Sequence, residues 1–122
     1  MASLNMQGPY SLDEKTIDKV VTDTSSGNYA LGKTNSTNGK FIVKYVGRAD
    51  GDINARLKQW SKKSKYAQFK ANYAASIKEA FEKECQNFHD FGGSAKLDNE
   101  IHPDRPKGKD YECPFCDIFD ES

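Results

Sequence analysis

No apolar run in this 122-residue sequence approaches the roughly 20 residues that cross a bilayer, so a membrane span is not expected. The opening Met1-Ala-Ser-Leu-Asn-Met-Gln-Gly has neither a basic n-region nor an apolar h-region, and the expected location is the cytoplasm. Cysteine is scarce and odd in number: Cys85, Cys113 and Cys116. That argues against a disulfide framework and leaves metal binding or plain burial. There is no internal repeat and no low-complexity tract. Hydrophobic residues make up only 36% and mean hydropathy is −0.84. Phe, Tyr, Ile and Val nevertheless recur at regular spacings, which points to a folded chain with one core, a single domain over 1–122.

Excess charge is also missing, but the balance is local. Residues 1–39 carry −1, residues 40–83 carry +7 and residues 84–122 carry −6. The basic middle block can serve a polyanionic partner. For Lys58, Lys62, Lys63, Lys65 and Lys70 alone, a solvated helix face is the plainer reading.

Local patterns predict an α+β fold. Ser11-Leu-Asp-Glu14 reads as a capping box opening an N-terminal helix over 11–24, after a frayed tail. Asn28 to Val46 reads as a hairpin, with β-branched and aromatic residues crowded at 41–46 and turn chemistry at 34–39. A loop centred near Thr37 puts Tyr29 opposite Tyr45; a tight Asn38-Gly39 turn makes them diagonal neighbours. Asp52 should cap a helix over 53–62. A longer helix is expected over 65–90, with Tyr66, Phe69, Tyr73, Ile77, Phe81 and Phe88 on one stripe and Gly92-Gly93 ending it. The cysteine-bearing tail, 94–122, reads as irregular apart from an extended piece near 97–101.

Glu84 does not suit its face. It follows Phe81 by three residues and Ile77 by seven, inside the apolar stripe, whereas Glu79, Glu82 and Lys83 fall outside it. A core-facing carboxylate is costly unless a cation, a metal or several donors meet it.

Cys85 and His89 are i and i+4 on the same predicted helix, and Cys113-Pro-Phe-Cys116 is a CxxC knuckle. Together they give a candidate tetrahedral zinc site, with His102 as the rival fourth ligand. The plainer alternative is a buried Cys85, a surface His89 and an accidental CxxC.

Gly27-Asn28-Tyr29 and Tyr45-Val46-Gly47 form a pair of tripeptides that resembles the signature of the GIY-YIG nuclease superfamily. The run from Tyr45 to Arg56 is similar to the strand, glycine, loop and arginine-bearing helix of that family. Ala80 to Glu84 resembles its metal-binding helix, and Asn99 the asparagine that closes its core. The likeness spans roughly residues 27–103. It departs in having Asn28 where an apolar residue is usual, a longer gap between the tyrosines, Arg56 one position late, and Trp60 where some members carry histidine.

The resemblance implies an antiparallel sheet of about three strands flanked by helices, the third strand near 97–101. It implies divalent-metal-dependent cleavage of nucleic acid, DNA rather than RNA, by Tyr29, Tyr45, Arg56, Glu84 and Asn99. Glu84 would hold one Mg²⁺ or Mn²⁺. Arg48, Lys44 and His102 would contact phosphate, and a protein partner can supply specificity. Taken singly the picks have plainer readings: a cross-strand tyrosine pair, an exposed helix arginine, a turn asparagine. A non-catalytic nucleic-acid-binding module and a zinc-stabilised interaction domain are the alternatives on the same fold.

Overall fold

The computed structural model describes residues 6–99, 102, 103, 111, 113 and 114. In chain order these form β1 (Gln7–Ser11), α1 (Glu14–Val20), β2 (Gly27–Thr34), β3 (Phe41–Ala49), α2 (Ile53–Lys63), β4 (Gln68–Tyr73), α3 (Ile77–Asp90) and α4 (Gly93–Lys96). The fold is α+β, built on one antiparallel sheet in the order β1-β4-β2-β3. The sheet therefore has four strands, one more than the sequence suggests. Among the described residues no helix is long and apolar enough to cross a membrane.

Two of the strands lie where other structure was expected. Residues 7–11, read as a frayed tail, form edge strand β1 against β4. Ser11 ends that strand, and Asp13 is the cap of α1, accepting from the Thr16 amide at 2.8 Å. The helix is shorter than the 11–24 expected. The first third of the predicted 65–90 helix is β4, and α3 starts only after Ser76, whose hydroxyl accepts from the Glu79 amide. Of the stretch near 97–101 expected to give a third strand, the described Leu97 to Asn99 follow α4 as irregular chain, and residues 100 and 101 lie outside the described part.

β2 is central and buried from Gly27 to Gly32. Its side chains alternate between two layers. Tyr29 and Leu31 enter a core with Ile17, Ile53, Leu57 and Phe69, under α1 and α2. Ala30 faces the other way, with Val46, Phe88 and Leu97. Asn28 lies on this second side, where its amide donates to the Ala80 carbonyl at 2.8 Å. The polar residue in the first tripeptide thus ties the central strand to α3 one turn before Glu84.

The hairpin register makes the tyrosines diagonal neighbours. Tyr29 pairs with Gly47 and Tyr45 with Leu31, and a bulge shifts the ladder beyond Leu31. The loop is longer than a two-residue turn: the Asn35 amide donates to the Lys40 carbonyl across it.

Among the described residues β3 is an edge strand of the sheet, and Asn99 completes it. Its side-chain oxygen accepts from the Val46 amide at 3.0 Å, and its Nδ2 donates to the Val46 carbonyl at 2.8 Å. One buried amide thus substitutes for a neighbouring strand. Asn99→Ala leaves both Val46 groups unpaired and is expected to cost about 2–3 kcal/mol in urea unfolding. An unchanged midpoint would contradict this clamp.

Candidate functional site

A pocket of about 250 Å³ opens beside β3. Its wall includes Tyr29, Tyr45, Arg56, Glu84 and Asn99, the five residues singled out as catalytic candidates. Arg48 and His102 also line it, but Lys44 does not. Lys44 lines a separate depression with Lys33, Lys65 and Asp98. Bulk charge around the hairpin does not tell which lysine turns towards the site, and the bulge near Leu31 changes the alternation there.

Edge position and a missing side chain explain the convergence. Tyr29 and Tyr45 come from the α2 side of the sheet, while Arg48 and Glu84 meet on the α3 side. Gly47 lies between them and presents no side chain, so the groups can approach around the open edge. A Cβ on Gly47 would stand 2.5 Å from the Tyr29 hydroxyl oxygen.

The phenols are held by aromatic packing. Trp60 Nε1 donates to the Tyr29 oxygen at 2.8 Å, and the Trp60 ring lies 4.6 Å from that of Tyr45. Burial pushes the Tyr29 phenol far above its ordinary pKa; the Trp60 hydrogen bond and the Arg56 charge oppose this and lose. Tyr45 is raised too, by burial and then by the charge of Glu84. Both are therefore neutral hydroxyls at neutral pH. They can donate and accept hydrogen bonds but are poor bases.

Glu84 does turn inward, with its side chain 10% exposed. Its partner is Arg48, whose Nη1 donates to Oε1 at 2.5 Å while Nε donates to Asp50 at 2.8 Å. The Arg48 guanidinium also sits 5.4 Å from the Phe81 ring centre. Burial opposes the charge on Arg48, but the hydrogen bonds and charges of Asp50 and Glu84 outweigh it and raise its pKa. Arg56 is different. It is exposed at the pocket rim, and among the described residues it has no carboxylate partner within 4.0 Å. One arginine neutralises Glu84, and the other is available to an incoming anion.

Asn99 lines the pocket with its amide committed to Val46, so it positions β3 rather than offering a reactive group. Asp50, in the bend just after β3, lines the pocket and was not among the candidates read from the sequence. The available signal was an opposite charge two residues from Arg48, whose Nε the Asp50 carboxylate meets at 2.8 Å.

The carboxylates of Glu84 and Asp50 give a donor set that suits a hard, oxygen-seeking cation such as Mg²⁺ or Mn²⁺. Arg48 bonds both carboxylates, so a cation here would share them with a guanidinium.

A second cluster backs onto this pocket. Cys85, His102 and Cys113 bring ligand atoms within 4.8 Å of one another and could hold a metal ion. His89 Nε2 lies 3.3 Å from His102 Nε2 and 3.5 Å from Cys113 Sγ. Burial, then His102, lowers the pKa of His89 and keeps its ring neutral. His102, the expected rival ligand, is thus inside the cluster, and Cys116 lies outside the described residues. Compared with models of protein families, with curated proteins and with solved structures, the chain has no match.

Proposed function

We propose that this chain is a divalent-metal-dependent endonuclease that hydrolyses nucleic-acid phosphodiester bonds, DNA in preference to RNA, through a GIY-YIG-like site. The observation that carries this reading is the meeting of Tyr29, Tyr45, Arg56 and Glu84 in one pocket. They come from two strands and two helices on both sides of the sheet, and ordinary core packing does not require two phenols, a guanidinium and a carboxylate to share a cavity.

The chemistry suits a phosphodiester. The planar fork of Arg56 matches two phosphate oxygens. Tyr29 and Tyr45, as neutral phenols, orient the attacking water and the phosphate by hydrogen bonds rather than by removing a proton. Glu84 would hold a Mg²⁺ or Mn²⁺ ion, which when bound neutralises phosphate charge and stabilises the leaving oxygen. Water adds to phosphorus, the P–O ester bond breaks, a proton from the water passes to solvent, and the leaving alkoxide takes a proton from solvent. Lys63, placed 4.6 Å over the ring of Trp60, which itself packs on Tyr45, adds positive charge for a polyanion.

The test is nicking of branched, duplex and single-stranded DNA, with RNA counterparts, in Mg²⁺ or Mn²⁺. Arg56→Ala is expected to lower kcat/KM by about 10²–10³-fold without lowering Tm, since the side chain is exposed. Equal cleavage by that variant would remove the phosphate clamp. Binding without cleavage under every metal would leave a nucleic-acid-binding module.

A further inference from the structure

We infer that Cys85, His89, His102 and Cys113 form a tetrahedral Cys2His2 zinc site that fastens the chain at residues 102 and 113 to α3, directly behind the candidate active site. The distances carry the inference. Zinc bonds of about 2.05 Å to nitrogen and about 2.3 Å to sulfur, at tetrahedral angles, set ligand separations of about 3.35 Å for N···N and about 3.55 Å for N···S. His89 Nε2 and His102 Nε2 are 3.3 Å apart, and Cys113 Sγ and His89 Nε2 are 3.5 Å apart. Two edges of the coordination polyhedron thus have zinc-like lengths. Cys85 joins the set through His102 and Cys113, the ligand atoms of these three lying within 4.8 Å of one another, and His89 joins it through His102 and Cys113.

Protonation points the same way. His102 Nδ1 faces the Pro103 carbonyl at 2.9 Å. A carbonyl only accepts, so Nδ1 is the donor in this contact, which leaves Nε2, the atom facing His89 Nε2, as the nitrogen that can bind a metal. A carbonyl fixing the outer nitrogen is the usual support of a metal-binding histidine. On zinc uptake the two thiols release their protons to solvent. Two thiolates then balance the +2 ion, which suits a site where Cys85 is 0% and Cys113 5% exposed.

The position gives the site a role. Cys85 follows Glu84 on α3, and His102 and Pro103 are also walls of the pocket. Cys113 packs with Phe81 and Cys85, and Tyr111 lies against them. Zinc would therefore fix both the helix that carries Glu84 and the opposite wall. This site uses softer donors than the Glu84 carboxylate, and its existence does not depend on the nuclease reading.

The measurement is zinc content by elemental mass spectrometry on the full chain purified without chelator, followed by replacement with Co²⁺. About one zinc per chain is expected. Cobalt should give a thiolate charge-transfer band, weakened by about half in Cys85→Ser or Cys113→Ser and unchanged in Cys116→Ser. Glu84→Gln should retain full zinc, which separates this site from cleavage. Strong chelation should lower Tm by about 10 °C or more. If the serine variants fail to fold, the wild-type zinc and cobalt readings decide. Less than about 0.2 zinc per chain with no cobalt charge-transfer band overturns the site. Loss of the band in Cys116→Ser overturns this ligand set.

Discussion

Glu84→Gln is expected to lower metal-dependent cleavage by at least about 10³-fold, equivalent to about 4 kcal/mol of transition-state stabilisation. Glutamine keeps the shape and can still accept from Arg48, but it loses the charge that would hold a cation. The fold should survive. Arg48 retains Asp50, so the stability loss is that of one charged hydrogen bond, about 1.5–3 kcal/mol. Arg48→Ala acts in the opposite way. It leaves a buried carboxylate without its guanidinium, which costs about 3–5 kcal/mol. It also removes the competitor for an ion at Glu84. Added Mg²⁺ binds the folded state and should therefore raise Tm more in Arg48→Ala than in the wild type, and not at all in Glu84→Gln. Thermal melts with and without Mg²⁺, beside nicking assays, separate the three proteins. Cleavage by Glu84→Gln within tenfold of wild type would remove the carboxylate from the chemistry.

Glu84 was legible in the sequence because its helix has one period. Phe81, Cys85 and Phe88 bury one side of α3, and the carboxylate lies on that side. Asp52 was legible for a local reason, its side chain capping the Ala55 amide. β4 was hidden by an ambiguity of period. Tyr66, Phe69 and Tyr73 match a helical stripe, yet Phe69 and Ala71 are the buried pair of a strand with period two. Ser76-Ile-Lys-Glu79 marked the true start of α3, since Ser76 caps Glu79 and the Glu79 carboxylate accepts from the Ala75 amide. β1 could not be read locally. Five mostly exposed residues, including Pro9, become a strand only because β4 has an edge to pair. The tyrosine register was likewise open, because a bulge near Leu31 is not determined by turn residues alone. In the metal cluster, the i and i+4 spacing singled out Cys85 and His89 on one helix, but the place of His102 depends on the path of the chain after Asn99. No helical or strand period encodes that path.

Gly47→Ala, a single added methyl, is expected to lower both stability and cleavage. Gly47 pairs with Tyr29 across the hairpin, and its missing side chain makes room for the Tyr29 ring. The new Cβ would lie 2.5 Å from the phenol oxygen and 2.8 Å from Cε2, closer than real Cβ contacts come. The ring cannot swing aside cheaply. It is 1% exposed, packed in the core with Leu57 and Ile53, and tied through its oxygen to Trp60. Overpacking of this kind costs about 1–3 kcal/mol. The activity loss should be larger than the loss of folded protein, because any relief moves Tyr29 or the β3 edge. A misplacement of about 1 Å in a reacting site can cost about 10²-fold. Gly51→Ala is the control: a Cβ there meets nothing within 4 Å, and φ is not in the left-handed region. Urea midpoints and kcat/KM measured on both variants give the comparison. Wild-type values for Gly47→Ala would mean that Tyr29 has room to move, and that a fixed phenol at the edge of β3 is not part of how this pocket works.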